Sequence, residues 1–148
     1  MFYLIKPYLK GGNVLEVKIN IHTIQYNEYG EKNEIIVEAT GTLYEKKDNK
    51  YVIYKEIEEG QETTTSIKIE DKKVTIKRFG EINSTMTFEE GKNQSSNYMT
   101  PQGMFIVQTN TNKLVLNQEN NIDIVIDYNI EISEMFRGRN EIKIKIYQ

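Results

Sequence analysis

The sequence contains no cysteine and a single histidine among its 148 residues. Without cysteine the chain has no disulfide, no thiolate ligand for a metal and no cysteine nucleophile. A single histidine cannot build a zinc site that needs several imidazole ligands. These absences exclude thiol chemistry and the common zinc centres as functions of this protein.

The chain also lacks an excess of positive charge and a long apolar run. It has 19 basic and 22 acidic residues, a formal net charge of −3. No uniformly basic surface is available for a phosphate backbone, so we expect no nucleic-acid partner. Its apolar runs are far shorter than the roughly 18 residues of a membrane span, and residues 1–10 lack the features of a signal peptide. We expect a cytoplasmic protein without a membrane partner.

Side chains that favour sheet dominate the apolar composition. The chain has 21 Ile, 8 Val and 12 Thr but only 6 Leu and 1 Ala. β-branched side chains lose rotamers in a helix and pack well on a pleated surface. The composition therefore predicts a protein built from β-strands.

Alternating apolar and polar residues mark about ten short strands, separated by turn signals about every 8 to 12 residues. The series Leu15, Val17, Ile19 and Ile21 is typical of them. No segment has a helical period, so we predict an all-β fold: one closed or nearly closed antiparallel up-and-down barrel of about 8–10 strands. Closure removes the exposed edges that a sandwich would leave. We assign residues 13–148 to this barrel domain and residues 1–12 to an N-terminal leader or edge segment.

Several short motifs, in a fixed order, resemble one bacterial family. They are Gly41-Thr42-Leu43-Tyr44, Tyr51–Glu56, Arg78-Phe79-Gly80, Met86–Gly91, Tyr98–Gly103 and Tyr128-Asn129-Ile130. In order and spacing they resemble the YwiB-like family, a domain of unknown function. The resemblance implies a lipocalin-like (calycin) β-barrel in the bacterial cytoplasm. It implies no catalytic residue, because members have no assigned activity. The sequence has no tryptophan, so it lacks the Gly-x-Trp feature of typical lipocalins.

Arg78 is the first candidate for a binding residue. The strand parity that points Val74 and Ile76 at the core also points Arg78 inward. A guanidinium inside a barrel has to be paired or hydrogen-bonded, and Glu56 is a possible partner. Two roles stay open for Arg78: structural closure of the barrel mouth and ligand binding.

Tyrosines are the second candidates, since the chain has 10 of them. A phenol combines an apolar ring with a polar tip, so tyrosines can line a pocket for an amphiphilic ligand, although they also pack ordinary barrel interiors. We place the candidate ligand site at the barrel mouth. Its predicted residues are Arg78, Tyr54, Glu56, Tyr98 and Tyr128.

Catalytic arrangements are not indicated by the sequence. His22 alternates with polar residues and is expected to point away from the core, and no Gly-x-Ser-x-Gly elbow is present. Glu56 and Glu58 have a spacing compatible with a glycosidase-like acid pair, but such pairs occur by chance on any charged strand. We therefore predict no enzymatic activity, no cofactor and no metal site.

Two functions remain open for a barrel without catalysis. The first is a module that binds a small apolar or amphiphilic ligand at the barrel mouth. The alternative is a structural or protein-interaction domain with a filled barrel, possibly forming a homo-oligomer. A ligand-binding barrel should hold a cavity of about 300 Å³ or more with convergent polar groups, whereas an interaction domain should show a contiguous exposed apolar patch.

Overall fold

The computed structural model describes residues 14–148, and this part of the chain is all-β. It contains no helix that is long and apolar enough to cross a membrane. The predicted leader, residues 1–12, lies outside the described residues. The strands are β1 (Val14–Asn27), β2 (Lys32–Lys46), β3 (Asn49–Glu58), β4 (Gln61–Ile69), β5 (Val74–Phe79), β6 (Asn83–Phe88), β7 (Asn93–Thr100), β8 (Gly103–Asn117), β9 (Ile122–Ile132) and β10 (Phe136–Tyr147).

Each strand pairs antiparallel with the next along the chain, and β10 pairs with β1, so the sheet closes into a barrel. The register places inward residues opposite each other, as in the pairs Ile19↔Ile146 and Ile21↔Ile144. A shift of one residue would turn these isoleucines to solvent, and the apolar alternation therefore fixes the register. The prediction of a closed antiparallel barrel is confirmed, with ten strands.

Large apolar side chains fill one end of the barrel interior. Gly41 shows how closely they pack, because a Cβ atom at this position would lie 2.5 Å from the Ile53 carbonyl oxygen and 2.8 Å from Ile19 Cδ1. Burial of each such side chain contributes about 1.5–3 kcal/mol to folding. The largest fully buried side chains are Phe88, Ile19, Leu43, Ile67, Ile122, Ile124, Ile126, Ile146 and Val17.

The inward positions change from apolar to polar along several strands. The inward residues, each series running from apolar to polar, are Ile69-Ile67-Thr65 on β4 and Val74-Ile76-Arg78 on β5. On β6 they are Phe88-Met86-Ser84, and on β10 they are Ile144-Ile142-Asn140. Because neighbouring strands run in opposite directions, these changes all occur toward the same end of the barrel. We call this the polar end.

The barrel wall is weakest between β6 and β7. Their ladder contains only two residue pairs, one of them Ser84↔Tyr98. Beyond it, the turn between the two strands packs on β8: the Gly91 amide donates to the Thr111 carbonyl at 2.8 Å, and the Thr111 amide donates to the Lys92 carbonyl at 3.1 Å. From Thr111 onward, β8 is therefore flanked by this turn in place of a paired strand.

Candidate functional site at the polar end of the barrel

Three of the predicted site residues lie in one cross-strand row at the polar end. From β3 to β7 the row consists of Tyr54, Thr65, Arg78, Ser84 and Tyr98, each paired with the next. Glu56 lies two residues beyond Tyr54 on β3, and hence on the same face. The strand register thus brings four of the five predicted residues onto one side of the barrel end.

Arg78 is exposed, which corrects the expectation of a guanidinium buried inside the barrel. It is the penultimate residue of β5, where the strand reaches the polar end, so its long side chain extends to water. Within residues 14–148, no salt bridge shorter than 4.0 Å joins Arg78 to Glu56 or to another carboxylate. Water solvates this charge, and the pairing required of a buried arginine is unnecessary here.

Tyr54 is buried, with 5% of its surface exposed. Burial raises the pKa of Tyr54 to about 12; the Thr65 hydroxyl and the Arg78 charge oppose this shift, and the Glu56 charge adds to it. The phenol therefore stays protonated at neutral pH, and the Tyr54 hydroxyl can donate a hydrogen bond at the barrel mouth.

Tyr128 lies on the opposite wall, on β9, four strands from Arg78 on β5. It pairs with Thr111 on β8 and Asn140 on β10. Asn140 Nδ2 donates to the Tyr128 hydroxyl at 2.8 Å, and the Phe88 ring centroid is 4.7 Å away. Burial raises the pKa of Tyr128 to about 12, against the opposing effect of the Asn140 hydrogen bond. The structure does not place Tyr128 in the Arg78 row.

Three buried oxygen atoms on different strands have no hydrogen-bond partner within the described part of the chain: Thr65 Oγ1, Thr111 Oγ1 and Asn140 Oδ1. Their residues are 2%, 1% and 5% exposed, respectively. The Thr65 hydroxyl lies close enough to Tyr54 to affect its pKa, but the two do not have hydrogen-bond geometry. An unpaired buried polar group costs about 1–3 kcal/mol, so each of these atoms needs a polar partner from outside the described chain, either a water molecule or a group of a ligand.

The sequence interpretation missed Thr65, Thr111 and Asn140. All three carried a signal, because the inward series continues by steps of two from Ile67 to Thr65, from Ile142 to Asn140 and from Thr109 to Thr111. Thr111 directly precedes an irregularity in the β8–β9 register, which lies between Thr111 and Lys113. That bulge breaks the alternation, so counting back from the later leucines of β8 puts Thr111 on the wrong face.

A polar groove lies on the outer surface across β7 to β10. Its volume is about 600 Å³. None of the five predicted site residues lines it. Arg137 forms an exposed ion pair with Glu131 at 3.4 Å in this groove. The outward-facing residues that line it are Asn93, Ser95, Gln108, Asn110, Asn129, Glu131 and Arg137. Among the side chains that the structure describes, no group of three or more His, Asp or Glu residues is arranged to hold a metal ion.

An exposed apolar patch lies outside the barrel near the polar end. Met99 on β7 is paired directly with Met104 on β8, and Ile106 lies two residues further on the same face of β8. Their exposed fractions are 44%, 58% and 52%, and Phe79 on β5 is 53% exposed. Exposed apolar side chains that neighbour one another, as Met99, Met104 and Ile106 do, are a common feature of interaction surfaces.

Comparisons with known proteins indicate a fold without indicating an activity. A family model described as Domain of unknown function (DUF1934) matches residues 19–144. The crystal structure of the YwiB protein from Bacillus subtilis is similar, with a TM-score of 0.76 and 18% sequence identity, over 89% of this chain and 92% of that chain. No curated protein matches the sequence. At this identity the structural similarity supports the barrel fold alone.

Proposed function

Because the chain belongs to the family described as Domain of unknown function (DUF1934), we propose its function from the site itself. The proposed function is non-enzymatic binding of a small amphiphilic ligand at the polar end of the barrel. The family agrees with the resemblance to the YwiB-like family found in the sequence. The observation that carries this proposal is the set of three unpartnered, buried oxygen atoms on β4, β8 and β10. Polar groups of a ligand that reached these atoms would remove their desolvation cost.

The chemistry of the site defines the ligand. Asn140 Oδ1 is an acceptor only, so the ligand needs at least one N–H or O–H donor. The protonated hydroxyls of Tyr54 and Tyr128 can donate hydrogen bonds to acceptor atoms of the ligand. The exposed Arg78 favours a negative or strongly polar group at the barrel mouth. The rings of Tyr128 and Phe88 supply an apolar surface below. These features together suit a small amphiphile with its polar end toward solvent.

Native mass spectrometry tests this proposal. We expect full-length protein purified from a bacterial host to retain a small molecule, and T111V to lose most of it. Thr111→Val keeps the side-chain shape while removing the hydroxyl. A matched control is T75V, since Thr75 is also buried but its hydroxyl lies 3.4 Å from that of Thr87. Retention by T111V equal to that of the wild type, or an empty wild-type protein that also binds no amphiphile added in excess, would contradict the proposal.

The exposed apolar patch supports a second function, protein interaction through self-association. In that case Met99, Met104, Ile106 and Phe79 are covered by a second copy of the chain. Light scattering after size exclusion should then give a dimer mass for the wild type and a monomer mass for M104K. The control is I36K, because Ile36 on β2 is 68% exposed and lies outside the patch. A monomeric wild type at high concentration rejects this function.

A further inference from the structure

The last part of β8 has a sheet partner on one side only within residues 14–148. Its pairing with β7 ends at Asn93↔Asn110, whereas its pairing with β9 continues to Asn117↔Asp123. An unpaired strand edge presents backbone donors and acceptors that a further strand can bind.

Hydrogen bonding shows which backbone groups face this open side. The Leu114 amide donates to Glu90 Oε1 at 3.1 Å, so a carboxylate from the β6–β7 turn takes the place of a strand carbonyl. Backbone groups alternate between the two sides of a strand. The amide and carbonyl of Leu116 therefore point to the same open side as the Leu114 amide, while those of Val115 point toward Val125 on β9.

A groove of about 400 Å³ runs along this edge. The half-buried side chains of Leu114 and Leu116 form its apolar surface. Its rim carries three carboxylates, those of Asp71, Glu89 and Glu90, and a single ammonium group from Lys72. This excess of negative charge attracts basic side chains and disfavours acidic ones.

We propose that the open edge of β8, from Leu114 to Asn117, binds an extended basic segment of a partner protein by strand addition. The segment pairs with the Leu116 amide and carbonyl and alternates apolar residues, which contact Leu114 and Leu116, with lysine or arginine residues, which contact Glu89 and Asp71. This surface is separate from the polar end of the barrel, so the proposal does not depend on ligand binding there.

Hydrogen exchange of the full-length chain tests whether the edge is available. The Leu116 amide should exchange rapidly in the free protein, and the Val115 amide should exchange slowly, because it faces β9. The two neighbouring residues control for local stability. Slow exchange of Leu116 in the free protein would overturn the proposal, since residues 1–13 or a second copy of the chain would already occupy the edge.

Peptide titration then tests whether a basic segment binds to this edge of β8. The probes are two capped hexapeptides, one alternating lysine with valine and one alternating glutamate with valine. We expect the lysine peptide to bind with a Kd about tenfold lower than that of the glutamate peptide and to slow exchange at Leu116. The D71N/E89Q variant should lose about fivefold in affinity for the lysine peptide, whereas the control E81Q, outside the groove, should retain it. Equal binding of both peptides, or binding without protection of Leu116, overturns the proposal.

Discussion

Asn140 and Tyr128 face each other on neighbouring strands inside the barrel, where the Asn140 amide nitrogen donates to the Tyr128 hydroxyl at 2.8 Å. The amide oxygen of the same Asn140 has no partner among the described residues. One half of this carboxamide therefore stabilises the wall of the barrel, and the other half is buried without a hydrogen bond. Asn140 thus belongs both to the barrel wall and to the proposed binding site.

Removing the Tyr128 hydroxyl should destabilise the protein. In Y128F, the buried amide nitrogen of Asn140 loses its acceptor, and we expect the free energy of unfolding to fall by about 1–3 kcal/mol. Urea denaturation measures the change. The double variant Y128F/N140L should lose less than the sum of the two single variants, because neither residue of the pair then keeps a polar group that has lost its partner. Additive losses would show that the two side chains do not interact.

Stability should decrease in strong alkali. The pKa values of Tyr54 and Tyr128 are both raised to about 12 in the folded protein, from an ordinary value of 10.0. Between pH 10 and 12 the unfolded chain loses these protons and the folded chain keeps them, so the free energy of unfolding falls with rising pH. Chemical denaturation from pH 9 to pH 12 should give a shallower decline for Y54F than for the wild type. An identical decline would contradict the raised pKa.

Gly41 should not tolerate even a methyl group. In G41A, the new Cβ meets the Ile53 carbonyl and Ile19 Cδ1, and we expect a loss of about 1–3 kcal/mol or more from overpacking. The control is G91A, where φ is +78° and no atom lies within 4 Å. That change should cost only about 1–2 kcal/mol, from the left-handed backbone. Thermal denaturation compares the two, and a larger loss for G91A would reject the packing argument.

The outer ion pair of Asp127 and Arg139 should contribute to stability in a pH-dependent way. Hydrogen bonding by Arg139 holds the pKa of Asp127 below its ordinary value of 3.8, although partial burial opposes the shift. The contribution is present above pH 3.8 and is lost as the pH falls through the lowered pKa. In D127N the loss at neutral pH should be about 0.5–1 kcal/mol, because Arg139 is 44% exposed, and the acid-dependent decline should be smaller.

E131Q is the matched control for this ion pair. Glu131 pairs with Arg137 at a distance of 3.4 Å, and the Arg137 side chain is 71% exposed. The E131Q control should therefore change the free energy of unfolding by less than about 0.5 kcal/mol. If E131Q destabilised the protein as much as D127N, the bidentate contact of Arg139 with Asp127, at 3.0 and 2.7 Å, would have no special role.

Local alternation was enough to predict the strands. Tyr54 and Arg78 have the same parity as their apolar neighbours, and the strand register places them in one row. The exposure of Arg78 could not be read from parity, because parity gives the direction of a side chain and not its distance from the barrel end. The inward position of Thr111 follows from Val107 and Thr109 by steps of two, whereas counting back from Leu114 gives the wrong face, since a bulge precedes Lys113.

The sequence by itself determined the class of the fold, because β-branched residues at every second position can bury their side chains only in a sheet with one apolar face. Tertiary structure decided everything that depends on which strands meet. Closure of β10 on β1 placed the polar residues of separate strands at one end, and the short β6–β7 ladder left β8 with an edge that no other described strand covers. Neither feature exists within a single strand, because both arise from hydrogen bonds between residues far apart in the chain.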